Sequence, residues 1–170
     1  MLTAPGYPAT VLRMRGVSVS TTIRKPVRAV WTAASAPSGW ARLIEAFAGY
    51  GMRFDAAVVD GPKDPAGEGT VVEVRKAGGR PVLKGRMVWW DPLRGFTATA
   101  HAGGWFTGYH GTFTVKVSEL DDALTSAEIA MRVVFLNRFV ELASLLMPVG
   151  FLYRRRLAKV LAALSDPPAR

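Results

Sequence analysis

Three hairpin turns in the middle of this chain give the same apolar sheet face, and that agreement leaves few folds open. From Arg53 to Val117 the sequence runs as "RFDAAVVDG", "GTVVEVRKAGG", "RPVLKGRMVWWDP", "RGFTATAHAGG" and "WFTGYHGTFTVKV". Each run alternates apolar and polar residues and is bounded by turn formers, the pattern of half-buried strands. A two-residue loop at Gly78-Gly79 sets Val74 opposite Leu83, Val72 opposite Gly85 and Thr70 opposite Met87. Glu73 and Lys84 then meet on the other face, as opposite charges across a ladder favour. A turn at "DPLR" sets Met87 opposite Ala98 and Trp89 opposite Phe96. A third loop, at Gly103-Gly104, sets Ala102 against Trp105, Ala100 against Thr107, Ala98 against Tyr109 and Phe96 against Gly111. One face therefore collects Thr70, Val72, Val74, Leu83, Met87, Trp89, Phe96, Ala98, Ala100, Trp105, Thr107, Tyr109 and Phe113.

The flanks supply what that face packs against. The domain opens with a strand at "VSVSTTIR", followed by "KPVRAVWTAASAPSGWARLIEAF", two short helices with Pro26 in a first turn and "APSG" as the break. "TSAEIAMRVVFL" closes the strand series. Beyond it Phe139, Leu142, Leu146, Val149, Tyr153, Leu157, Val160 and Leu164 recur at helical spacing, an amphipathic helix that Pro148 and Gly150 kink near Met147 to Gly150. An antiparallel meander with helices on one face is an α+β domain. Residues 17–164 are expected to form it, after a loosely ordered lead-in over 1–16 and before a tail over 165–170.

Composition narrows the chemistry. With 170 residues, no cysteine and two histidines, the chain is one domain without disulfides and without ligands for a structural zinc site. No apolar run reaches the roughly 20 residues of a membrane span, and the opening residues lack the apolar core of a secretory signal. A cytoplasmic protein is expected. The formal charge of +9 makes an anionic partner worth weighing, although the basic groups are scattered. The third hairpin register puts His101 opposite Phe106 and His110 opposite Thr97, both facing water and about 13 Å apart. They are then too distant to share a metal, so no metal site and no cofactor is expected. No phosphate loop, nucleophile elbow or paired carboxylate is present.

The inward face is apolar with a few hydroxyls: Thr70, Thr107, Tyr109 and, from the helix, Tyr153. Gly85, Ala98 and Ala100 are too small to fill the space beside aromatic rings, which suggests a cavity between sheet and helix. Met131 of the last strand and Leu146 of the helix complete its expected lining. Arg42, Glu45, Asn137 and Glu141 are candidates for its rim.

The order strand, two helices, meander, long helix resembles the START-related, birch-pollen-allergen-like helix-grip superfamily, in particular its polyketide cyclase/dehydrase branch. The resemblance rests on Pro26, Val30 and Trp31 after the first strand, Trp40 beyond them, the Asp91-Pro92 turn, and the close "LAALSDP". It implies a curved antiparallel sheet gripping the long helix around a cavity for lipids, polyketides or similar molecules. Two functions follow: a binder of a hydrophobic small molecule, or a polyketide cyclase/dehydratase in which Tyr109, with Tyr153 or Thr107, hydrogen-bonds an enolate or carbonyl. In the second case the basic surface would dock an acidic acyl carrier protein. A surface-acting role for Arg154, Arg155, Arg156 and Lys159 on an anionic membrane is the reading from another class, with nucleic acid not expected as a partner.

Overall fold

The computed structural model describes residues 15–49, 51–62, 66–102, 109–135, 142 and 149–165. In chain order the elements are β1 (Arg15–Ile23), α1 (Val27–Ser35), α2 (Pro37–Ala48), β2 (Phe54–Asp60), β3 (Val71–Lys76), β4 (Pro81–Asp91), β5 (Gly95–Ala102), β6 (Tyr109–Asp121), β7 (Leu124–Phe135) and α3 (Val149–Ser165). The strands form one antiparallel sheet of seven in the order β1-β7-β6-β5-β4-β3-β2, so the meander is closed at one end by the first strand pairing with the last. The first strand begins two residues before the expected Val17.

The helix pair is set by local chemistry. Ala36 lies extended between α1 and α2, as a residue before proline prefers, and Pro37 takes the first position of α2, where a missing N–H costs nothing. The break is thus Ala36 alone, and the rest of "APSG" already belongs to α2. Gly39 allows the tight corner, because any Cβ there would collide with the Ala33 carbonyl. One face of each helix is buried: Val30 and Ala34 on α1, Trp40 and Leu43 on α2. On α3 the expected apolar spacing is realised by the buried Leu157, Val160 and Leu164. Leu142, from the same series, is instead 59% exposed, and residues 143–148, where the kink was expected, lie outside the described residues.

The core is where these helix faces meet the inner row of the sheet: Ile23, Val72, Val74, Met87, Phe96, Val115, Val117 and Ile129. At about 25 cal/mol per Å² of apolar surface removed from water, this contiguous cluster is the dominant favourable contribution. Polar ties fix the helices on it. Arg42 of α2 donates to the Ala163 carbonyl of α3 at 2.8 Å, and Glu45 accepts the Phe54 N–H at the start of β2 at 2.9 Å. Two residues expected at a ligand rim are therefore braces between elements. Arg156 is another: its Nη1 donates to the Phe47 and Ala48 carbonyls, each at 2.7 Å. It caps the C-terminal carbonyls of α2, a favourable place for a cation.

Candidate functional site

The sheet's inner face has two ends of different character. The β3–β4 register is as expected, with Val72 opposite Gly85, Glu73 opposite Lys84 and Val74 opposite Leu83, and the end of the face that lies beyond Gly85 toward Trp90 is filled. Here Met87, Phe96, Val115 and Val117 are buried, and Trp31 of α1 plugs the face. Its ring meets Trp90 edge-on at 5.1 Å and Phe96 at 6.2 Å, while Trp90 and Phe96 stack at 5.6 Å. This end is packed solid.

At the other end Gly85 of β4, Ala100 of β5 and Gly111 of β6 stand side by side across three neighbouring strands. Ala98 lies beside this row and pairs with Phe113, which in turn pairs with Met131. Leu83, Ala98, Ala100, Phe113 and Met131 are all half-buried. Side chains of a single methyl or less cannot rise from a pleated sheet far enough to occupy the layer above it, so the row is a floor with larger apolar groups as its sides. Ionisable residues in inward register, such as Lys76 opposite Phe54 and Glu119 opposite Thr125, stand at strand ends of the inner face and are exposed. The two fully buried hydroxyls there, Thr70 and Thr125, are both in use: Thr70 donates to the Pro62 carbonyl and accepts the Gly67 N–H, each at 2.9 Å, and Thr125 donates to the Lys25 carbonyl at 2.7 Å.

Several expected site residues are relocated by this geometry. Thr70 closes a loop, so its hydroxyl is not offered to a ligand. Met87 and Phe96 belong to the packed end, and Val72, opposite Gly85 at the edge of the small-residue row, is itself buried. Trp89 is on the opposite face: the ladder slips at Val88, so Trp89 pairs with Thr97, and Trp90 takes the inward place beside Phe96. A bulge of one residue exchanges the two faces beyond it. Tyr153 stacks on Phe47 of α2, with ring centroids 6.0 Å apart. Burial pushes its hydroxyl above the ordinary value of 10.0, with the Arg156 guanidinium working the other way. Tyr109 begins β6, paired with Ala102 and Phe135; its side chain, Trp105, Thr107, Leu146, Asn137 and Glu141 lie outside the described residues.

The third hairpin also departs from its expected register. Ala102 pairs with Tyr109, not Trp105, and His101 stands directly opposite His110. The histidines are adjacent, not some 13 Å apart. They do face outward as expected, being exposed on the side away from the helices. That outer face carries a groove of about 670 Å³ walled by Trp89, Thr97, Thr112, Thr114, Lys116 and Glu128. Its lining mixes these hydroxyls and charges with the apolar Val17, Trp89 and Ala130, and the Thr97 and Thr114 hydroxyls are bonded to each other at 3.0 Å. A smaller groove of about 270 Å³ between α2 and α3 is edged by Phe47, Leu152, Arg155 and Lys159.

No protein-family model and no curated relative matches the sequence. Solved structures do match in shape. An aromatase/cyclase from a Streptomyces species superposes with a TM-score of 0.62 at 16% identity, covering 90% of this chain and 92% of the other. Norcoclaurine synthase from Thalictrum flavum, solved with dopamine and hydroxybenzaldehyde, gives 0.58 at 16% identity over 97% and 92%. The protein Ara h 8.0201 gives 0.55 at 14% identity over 88% and 99%. Together with the seven-stranded curved sheet and its closing helix, these likenesses define a helix-grip protein. The fold is the helix-grip fold that the resemblance read from the order of elements in the sequence implied. No helix among the described residues is long and apolar enough to cross a membrane.

Proposed function

We propose that this protein binds a hydrophobic small molecule, of lipid or polyketide character, over the half-buried end of its inner sheet face. The observation that carries the reading is the row Gly85, Ala100 and Gly111 with Ala98 beside it, a floor of minimal side chains flanked by Leu83, Phe113 and Met131. A concave apolar surface next to a rigid packed core is how small-molecule sites are usually built. Native mass spectrometry of the purified protein and titration of tryptophan fluorescence with fatty acids and aromatic polyketides test it. A bound species or a saturable response is expected, and Ala100→Phe should abolish either. No species and no response across such a panel would reject the reading.

The likeness to an aromatase/cyclase favours a second reading, in which the same site holds a polyketide chain so that particular carbons meet. Positioning alone supplies a large part of such a barrier, and Tyr109 and Tyr153 would be the groups polarising a carbonyl. Tyr153 is committed to a stack on α2, so Tyr153→Phe turning over a confirmed substrate at the parent rate removes it from the mechanism. An acidic carrier protein delivering that chain would bind the +9 surface in a salt-dependent manner.

A further inference from the structure

The register of β5 and β6 assembles something the binding function does not use. His101 and His110, the only histidines of the chain, face each other across the ladder with Nδ1 atoms 3.3 Å apart and ring centroids 4.4 Å apart. Both are exposed on the outer face. We propose that this pair is a binding site for a borderline divalent transition-metal ion such as Cu²⁺, Ni²⁺ or Zn²⁺.

The spacing is the first reason. An ion about 2.05 Å from each of two imidazole nitrogens at a tetrahedral angle holds those nitrogens about 3.3 Å apart, the separation already present. A square-planar ion draws them in by only a few tenths of an ångström. The second reason is rigidity. The two residues are directly opposed, second from the end of the β5–β6 ladder and held between Lys84 of β4 and Val134 of β7, and directly opposed residues keep their Cβ atoms at a short distance, which limits the side-chain entropy lost on chelation. The third is selectivity. Lys84 stands opposite His101, while Arg86 and Arg132 stand opposite the neighbouring Thr99 and Thr112, and all three are exposed cations on the same face. Val134 stands opposite His110. No group of three or more acidic, histidine or cysteine ligands exists among the described residues. The pair itself offers two imidazole nitrogens and no carboxylate, and imidazole suits the later transition metals, copper above all. In the hydrogen bond between the rings one Nδ1–H donates to the other Nδ1. Binding sends that proton to Nε2 or to solvent, both Nδ1 lone pairs go to the metal, and water fills the open positions.

The experiment uses the full chain without a histidine tag. Equilibrium dialysis or calorimetry with Cu²⁺, Ni²⁺ and Zn²⁺ should give one ion per chain, with Mg²⁺ and Ca²⁺ as controls that do not bind. His101→Gln and His110→Gln should each weaken the affinity at least about tenfold, because one imidazole loses the chelate advantage. Electron paramagnetic resonance of the Cu²⁺ form should show two nitrogen ligands, reduced to one in either variant. Added metal should raise the melting temperature of the parent and not of the variants. Thermal melts without metal show whether the variants fold as the parent does. Absence of stoichiometric binding, affinity unchanged in either variant, or a spectrum with a single nitrogen overturns the proposal.

Discussion

Single residues carry the polar accounts of this fold. Thr70, itself fully buried, bonds the Pro62 carbonyl and the Gly67 N–H with one hydroxyl, so Thr70→Val keeps the shape and removes both bonds. Urea denaturation should show a loss of about 1–3 kcal/mol. Tyr153 is a case of linkage. Its folded-state pKa is raised above the ordinary 10.0 by burial, so below that pH both states are neutral and nothing is lost. Above it the unfolded chain ionises first, and stability falls as pH rises. Tyr153→Phe should flatten that alkaline part of the decline, read as the change in urea midpoint between neutral pH and pH above 10.0. Both roles were hidden in the sequence. A threonine on the expected inward face reads as a ligand anchor until its partners, Pro62 and Gly67, are known.

At the scale of elements, β4 shows what a pattern of alternation can and cannot hold. The ladder from Val72 to Met87 was legible, because Gly78-Gly79 fixes one end and the Glu73–Lys84 pair checks it. The bulge at Val88 was not. "MVWWDP" offers two tryptophans in succession, and either satisfies an alternating pattern if one residue is skipped; only the packing of Trp90 against Trp31 and Phe96 decides which. Trp90→Ala should accordingly cost about 3 kcal/mol, and Trp89→Ala less than about 1 kcal/mol, in parallel denaturation experiments. The opposite ranking would mean that the bulge is elsewhere. The β5–β6 register was missed for a different reason. Moving the pairing by an even number of residues leaves every side chain on its own face, so the apolar pattern of Phe96, Ala98, Ala100, Phe113 and Val115 fits both arrangements. What changed was who meets whom: Gly111 moved beside Ala100 and His110 beside His101.

For the whole molecule, the division of the inner face into a packed and an open end is the feature with consequences. If the row Gly85, Ala100 and Gly111 leaves space above it, enlarging a residue there costs little. Ala100→Leu should change stability by less than about 1 kcal/mol, whereas Ala127→Leu, at the packed end where Ala127 is fully buried, should cost about 1–3 kcal/mol from overpacking. Thermal or chemical denaturation of the two variants separates these outcomes. The basic helix α3 is also partly internal in purpose. Arg156 reaches the last carbonyls of α2 and lies over the Phe47 ring, 5.8 Å from its centroid, so one member of the run "RRR" braces two helices.

The sequence by itself determined the element order, the antiparallel sheet, the inward set Leu83, Ala98, Ala100 and Phe113, and the apolar stripe of the last helix. These follow from periodicity and turn chemistry, which act over a few residues and are written in the local chain. Only the tertiary structure decided which tryptophan of Trp89 and Trp90 enters the core, which small residues line up across strands, and that the two histidines touch. Those outcomes depend on register between segments distant in sequence. Register is settled by the packing of the assembled layers, not by any one strand's own pattern.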